Sequence, residues 1–252
     1  MKKTTITLVT GGSRGLGRNM AIQLAKQGHQ VIVTYHQNKE AAQDTVETLQ
    51  TFGQAAALQL DSTQPTTFPI FIQQLKQTLS TTFGTEQLNY LVNNAGFGIN
   101  VPFEQTAAEQ LDALYQVHFK GPFLLTQQLL PLLTDQGGIV NVSSGLARFS
   151  FPGYAAYAAM KGAVEVLSRY QAKELGARGI RVNTIAPGAI ETDFGGGVVR
   201  DNKALNQQIA SATALGRVGV PDDIGSVVAF LCSEASRWVN AQRLEVSGGM
   251  ML

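Results

Sequence analysis

The chain has 252 residues, 19 basic against 18 acidic side chains, a formal net charge of +1 and 44% hydrophobic residues. That composition excludes a disordered chain, and no basic stripe marks a nucleic-acid partner. The single cysteine excludes an internal disulfide or a multi-cysteine metal site. No run approaches the roughly 18 apolar residues of a membrane span. Met1-Lys2-Lys3 looks like the start of a signal peptide, but the apolar stretch 6–9 behind it is too short for one. A soluble cytoplasmic protein is predicted. Charged residues make up 15% of the chain and glycines number 26. The averages are about 25% charged residues and about 7% glycine, so the glycine surplus needs a backbone reason.

Short apolar runs alternate with longer amphipathic ones. Strand 6–10 leads through a glycine-rich turn into helix 16–27, which Gly28 ends. Strand 31–34 precedes helix 39–52, closed by Gly53. Strand 55–60 ends at Asp61, and helix 66–83 carries Pro69 near its start. Strand 88–92 precedes a helical region 106–133, in one piece or in two pieces around Gly121-Pro122. Strand 138–142 leads to a long helix, 153–176, and then to strand 180–185. The stretch 191–216 is polar, irregular and glycine-rich, the natural candidate for a mobile lid. A helix over 221–232 ends in an apolar run that makes Cys232 a buried, inert thiol. Strand 243–246 is the last. This alternation predicts an α/β fold: a single-domain, Rossmann-type, doubly wound parallel sheet of about seven strands with helices on both faces.

Three local patterns point to chemistry. Gly11, Gly12, Ser13, Arg14, Gly15, Leu16 and Gly17 join the first strand to the first helix. A helix N-terminus offers unpaired N–H groups, and glycines let a pyrophosphate approach the backbone. At the end of the second strand, Tyr35 and His36 stand where a carboxylate would select the ribose 2′-hydroxyl. The absence of an acid, with Arg14 as a nearby cation and His36 as a donor, favours NADP(H) over NAD(H). Tyr157 and Lys161 are four residues apart in the long helix and so share a face. An ammonium beside a phenol favours the phenolate, which suits Tyr157 to proton transfer with a developing alkoxide. Ser144 leaves a strand at its carboxyl end, where open α/β sheets bind ligands, and can hydrogen-bond a carbonyl. A strand-end turn serine is the plainer alternative.

In joint order and spacing these residues resemble the short-chain dehydrogenase/reductase family along the whole chain. The glycine turn, Asn93-Asn94-Ala95-Gly96, the set Ser144, Tyr157 and Lys161, Pro187 to Thr192, Gly216 to Ile224, and Ser247-Gly248-Gly249 carry the likeness. Within the family the chain is most similar to bacterial 3-oxoacyl-carrier-protein reductase-type ketoreductases. The resemblance implies that Tyr157 protonates a carbonyl oxygen as hydride reaches the carbon. Lys161 would bind the nicotinamide ribose and lower the Tyr157 pKa, and Ser144 would orient the carbonyl. Asp61, with Ser62 beside it, would contact the adenine. Asn93, Ala95 and Gly96 would line the adenosine ribose. Pro187 and Gly188 would hold the nicotinamide end, with Ile190 and Thr192 on the carboxamide and pyrophosphate.

His118 departs from the pattern, standing where the family places an asparagine that helps hold a relay water. An imidazole can bind water and titrates near neutrality, so His118 is a candidate for the relay; a buried histidine fixing helix geometry is the alternative. The stretch 132–138 carries one acid and no base, which weakens a carrier-protein partner, although Arg178 remains available. A small-molecule ketone or aldehyde is the preferred substrate. Phe97, Phe149, Phe151, Tyr154, Phe194 and Val198 are candidates for an apolar pocket. An alcohol dehydrogenase running in the oxidising direction uses the same residues, and a non-catalytic cofactor sensor is the remaining reading. The resemblance also implies a homotetramer packed through the helices over 106–133 and 153–176. No metal site is expected.

Overall fold

A computed structural model describes residues 5–252; the charged start Met1-Lys2-Lys3 lies outside them. Seven parallel strands form one sheet. They are β1 (Thr5–Val9), β2 (His29–Tyr35), β3 (Ala55–Gln59), β4 (Leu88–Asn93), β5 (Leu133–Val142), β6 (Arg181–Pro187) and β7 (Arg243–Val246), in the order β3-β2-β1-β4-β5-β6-β7. The order reverses direction between β1 and β4, so their carboxyl ends flank the crevice where such sheets bind ligands.

Alternation along the strands makes two cores. Leu8 and Ile32 face one side, against α3 (Phe68–Phe83), with Phe71, Leu75 and Leu79 packed there. Val9, Val31 and Val33 face the other, against α1 (Gly15–Lys26) and α2 (Lys39–Gln50), with Met20, Leu24 and Leu49. Pro69 falls in the first turn of α3, where its missing N–H has no intrahelical partner to lose.

The region 106–133 departs from the helical expectation. Helix α4 (Ala108–Tyr115) runs through a π-helical turn, Gln116–Lys120, into α5 (Gly121–Leu129). The break is thus the π-turn ahead of Gly121-Pro122, not those two residues. Leu133 already pairs with Leu88 in the sheet, and the register then shifts so that Gly138 pairs with Tyr90. Between them Thr134 to Gly137 bulge, with Gln136 at φ 63°. Their polarity hides the start of β5 in the sequence.

Helix α6 (Ala155–Glu174) buries one stripe: Tyr157, Lys161, Val164, Ser168 and Ala172. A polar ladder fixes its height on the sheet. Asn93 Nδ2 donates to Thr126 Oγ1 (3.0 Å) and Asn141 Oδ1 (2.8 Å), and Asn141 Nδ2 donates to Ser168 Oγ (2.8 Å). The stretch 191–216 is more regular than its composition suggests. It holds a 3₁₀ turn (Phe194–Gly197), α7 (Val198–Asp201) and α8 (Lys203–Ser211), the last capped by Asn202. Helix α9 (Pro221–Leu231) packs on α1, and Cys232 beyond it is buried, its thiol pushed up to about 12 by desolvation. No described helix is long and apolar enough to cross a membrane.

Candidate active site

The segments singled out in the sequence converge on the carboxyl edge of the sheet. Gly11 follows β1 at φ 66°, a conformation that favours glycine, and a Cβ at Gly17 would collide with the Gly11 carbonyl and Asn94 Nδ2. The N-terminus of α1 has no side-chain cap and no acid in its first turn. Its N–H groups and partial positive charge are left for an anion, which fits a nucleotide pyrophosphate. Asn94, whose role the sequence did not disclose, braces this turn. Its Nδ2 donates to the carbonyls of Thr10 (2.9 Å) and Gly11 (3.2 Å). Thr10 Oγ1 in return accepts from the backbone N–H groups of Asn94 and Ala95, both at 3.0 Å. Thr192 is buried against Gly15, which brings the start of the stretch 191–216 to the glycine turn.

At the end of β2, Tyr35 is half-buried, and Arg14 in the glycine turn is exposed with no carboxylate on it among the described residues. His36 Nε2 lies 3.3 Å from Asp61 Oδ2. Burial pushes the Asp61 carboxyl up, but two hydrogen bonds from Thr63 and the nearby His36 outweigh it and hold the carboxyl below its ordinary value. Ser62 presents its carbonyl to Gly121, where any Cβ would clash. Pro187 closes β6, Gly188 lies against Ser247, and Ile190 bridges to Gly219. The carbonyl of Ser13 accepts from Thr45, and Leu16 packs into the core.

Beyond β5, Ser144 is half-buried and its Oγ accepts from Leu146 N–H (3.2 Å), leaving the hydroxyl proton free to donate. Tyr157 is buried. Desolvation pushes its phenol well above the ordinary value, against a hydrogen bond with Ser144 that pulls it down. The phenol is therefore held as an acid. Lys161 Nζ sits 5.6 Å from the centre of the Tyr157 ring and donates to the Val142 carbonyl (2.8 Å). Burial drags the Lys161 ammonium down to about 7. The expected lowering of the phenol by Lys161 does not arise from the protein alone, because the ammonium is itself desolvated and engaged elsewhere.

His118 is buried at the π-turn, its ring 5.1 Å from that of Tyr157 and edge-on to it. Its Nε2 lies 2.6 Å from the Phe97 carbonyl. A carbonyl only accepts, so Nε2 carries the proton and Nδ1 is an acceptor. Desolvation and the Lys161 charge push His118 well below its ordinary value, outweighing the Phe97 bond. The expectation that it titrates near neutrality therefore fails, and the ring is neutral. A cavity of about 10 Å³ is lined by Asn93, His118, Asn141 and Lys161, among others. That is room for one water. Asn93 Oδ1 and His118 Nδ1 are both buried acceptors with no protein partner. The Asn93 side chain thus serves the ladder and this cavity.

The aromatic candidates separate into two groups. Phe194 (5.7 Å) and Tyr154 (6.4 Å) stand by the Tyr157 ring, and Phe97 by His118 (6.0 Å). Phe149 and Phe151 instead pack on each other and on the Ile209, Val218 and Met250 cluster. Arg178 is fully engaged, donating to Asp135 and to the carbonyls of Leu130 and Leu133, where it pins the β5 bulge.

A seven-stranded parallel sheet, an uncapped glycine turn and a serine, tyrosine and lysine gathered beside it define an oxidoreductase acting on a carbonyl or hydroxyl group. The chain belongs to the short-chain dehydrogenase/reductase family. A family model described as enoyl-(acyl carrier protein) reductase matches residues 11–251. The hydroxynaphthalene reductase-like protein Arp2 of Metarhizium brunneum is 35% identical, over 97% of this chain and 94% of that one. The 3-oxoacyl-[acyl-carrier-protein] reductase FabG of Staphylococcus aureus is 34% identical over 100% of both. The angucycline C-6 ketoreductase LanV, solved with bound NADP, superposes with a TM-score of 0.93 at 33% identity, over 98% of this chain and 95% of that one.

Proposed function

We propose that this protein is an NADPH-dependent reductase of a small apolar ketone, with Tyr157 as the general acid. The observation that carries the reading is a buried Tyr157 with Ser144 at the end of β5 beside it and Lys161 over its ring, together with the uncapped α1 turn. The nucleotide supplies hydride when bound. Gly11 to Gly17 hold its pyrophosphate, Arg14 with Tyr35 and His36 its 2′-phosphate, and Pro187, Gly188, Ile190 and Thr192 its nicotinamide end. Ser144 donates to the substrate carbonyl and aims it at the phenol. Tyr157 delivers a proton to the oxygen as the carbon is reduced. Lys161 would hold the ribose hydroxyls, and the water-sized cavity that it shares with Asn93 and His118 would give its ammonium a water from which its proton is restored.

His118 takes part in this relay as a neutral acceptor. One water accepting from Lys161 and donating to Asn93 Oδ1 and His118 Nδ1 satisfies all three. His118→Asn, which can also donate to a carbonyl and accept, keeps kcat within about threefold, whereas His118→Leu lowers it about tenfold. The pH–rate profiles of the parent and of His118→Asn are expected to have the same shape between pH 6 and 8, because the parent's imidazole is held well below its ordinary value. Equal rates for His118→Leu and the parent would remove His118 from the relay.

The aromatic side chains Phe97, Tyr154 and Phe194 favour a flat, apolar ketone, and the likeness to a hydroxynaphthalene reductase-like protein supports the same class. Gly195, Gly196 and Gly197, all at positive φ, give the Phe194 lid its hinge. Arg178, the cation considered for a carrier-protein partner, is instead engaged in the β5 bulge. Exposed Leu111, Tyr115, Phe123, Val166 and Tyr170 on α4, α5 and α6 suit a homotetramer.

A panel of aryl ketones, α-keto esters and acetoacetyl thioesters with NADPH and NADH tests the assignment. NADPH is expected to be preferred. Arg14→Ala weakens NADPH about tenfold, the scale of one charged hydrogen bond, and leaves NADH within about twofold. A clear preference for NADH would overturn the cofactor assignment.

A further inference from the structure

Two arginines and two glutamates link β7, α6 and the loop after β5 into one network. Glu165 lies one turn beyond Lys161 on α6. Its Oε1 accepts from Ser143 Oγ (2.7 Å) and from Arg243 Nε (2.6 Å). Ser143 Oγ is also 3.3 Å from the Lys161 carbonyl. The two remaining guanidinium nitrogens of Arg243 donate to Glu245 Oε2 (2.7 Å) and to the backbone carbonyl of Ser144 (3.3 Å). Arg148 closes the far side, pairing with Glu245 (2.9 Å) and donating to the Met250 carbonyl (3.0 Å). The side chains of Glu165, Glu245 and Arg243 are only 15%, 23% and 24% exposed, so this is no solvated surface pair. Burial works against the Arg243 charge, but the hydrogen bonds that it donates to Glu245 and Glu165 outweigh it and keep the guanidinium cationic.

We infer that Arg243 is a positioning residue for Ser144: its guanidinium fixes the Ser144 backbone against α6, and so sets the distance between the serine hydroxyl and Tyr157. A planar fork with three differently directed donors can hold Glu165, Glu245 and the Ser144 carbonyl together, and an ammonium cannot. The Ala147 N–H also donates to that carbonyl (3.1 Å), so Arg243 ties to α6 and β7 a carbonyl that its own turn already holds locally. The inference rests on the reading of Ser144 as the group that orients the substrate.

The test is a double-mutant cycle on kcat with the best ketone of the panel, together with amide exchange on the cofactor-free protein. Arg243→Met is expected to lower kcat about tenfold, the scale of a small misplacement, with KM for NADPH unchanged within about twofold. In the Ser144→Ala background the same substitution should change kcat less than about twofold, because the effect passes through the missing hydroxyl. Arg243→Lys keeps the charge and the fold and should fall between parent and Arg243→Met. Faster exchange of the Leu146 amide, the donor to Ser144 Oγ, is expected in both single variants. A kcat within twofold of the parent for both Arg243 variants, or the full tenfold loss repeated on Ser144→Ala, would overturn the inference. If Ser144→Ala itself keeps full kcat, it is the role of Ser144 that fails, which the same cycle reads separately.

Discussion

Tyr157→Phe lowers kcat for ketone reduction by about 10³-fold, within the range of a lost general acid. Its Kd for NADPH stays within about threefold of the parent. The ring is the buried part, packed against His118, Tyr154 and Phe194, and phenylalanine keeps all of that packing. What disappears is the hydroxyl that meets Ser144. Because desolvation holds the phenol protonated, the parent needs no deprotonation step before it gives up its proton, and reduction should not gain from alkaline pH. Retention of more than a tenth of the parent kcat, in a variant of unchanged thermal stability, would assign the proton to another group.

Lys161→Met gives the opposite signs for activity and stability. Reduction falls at least about 10²-fold, because the relay donor and the ribose contact go together. The cofactor-free protein becomes more stable, because a buried ammonium with one hydrogen bond, to Val142, is replaced by an apolar chain of similar length. A gain of about 1–2 kcal/mol corresponds to a Tm rise of roughly 3–6 °C for a chain of this size. The pH dependence follows from the folded-state value of about 7 against the ordinary 10.5. Between these values the unfolded chain binds more protons than the folded one, so the parent gains stability as pH rises from 7 towards 10. The Tm advantage of Lys161→Met is therefore largest at pH 7 and below and shrinks towards pH 10. Thermal melts of both proteins at pH 6.5, 8 and 9.5 read this directly. A constant difference would mean that Lys161 stays charged in the fold.

Much of this molecule is written in local pattern. Alternation such as Val31-Ile32-Val33 sends side chains to two cores and marks a strand covered on both faces. The four-residue step from Tyr157 to Lys161 places both on the buried stripe of α6. Glycines at 11 and 17 are demanded by backbone approach, which their position between strand and helix already suggests. Other features depend on distant partners and leave no local trace. Leu133 is a strand residue only because Leu88 is beside it, and the polar bulge after it is pinned by Arg178, which the chain reaches 45 residues later. Asn93 sits in a recognisable motif, yet the motif does not say that its amide points to Thr126 and Asn141. His118 can be picked out by sequence, but burial beside Lys161 decides its protonation. Arg243 and Glu165 are 78 residues apart, and only the fold joins them at Ser144.

Ketone reduction at Tyr157 is tested most directly by the mass of the alcohol formed from an aryl ketone with NADPH deuterated at the hydride-bearing carbon. One deuterium on the carbinol carbon is expected from the parent, and no more than a trace of labelled alcohol from Tyr157→Phe over the same time. An unlabelled alcohol, or labelled alcohol formed equally fast by Tyr157→Phe, would contradict hydride transfer coupled to proton donation by this tyrosine.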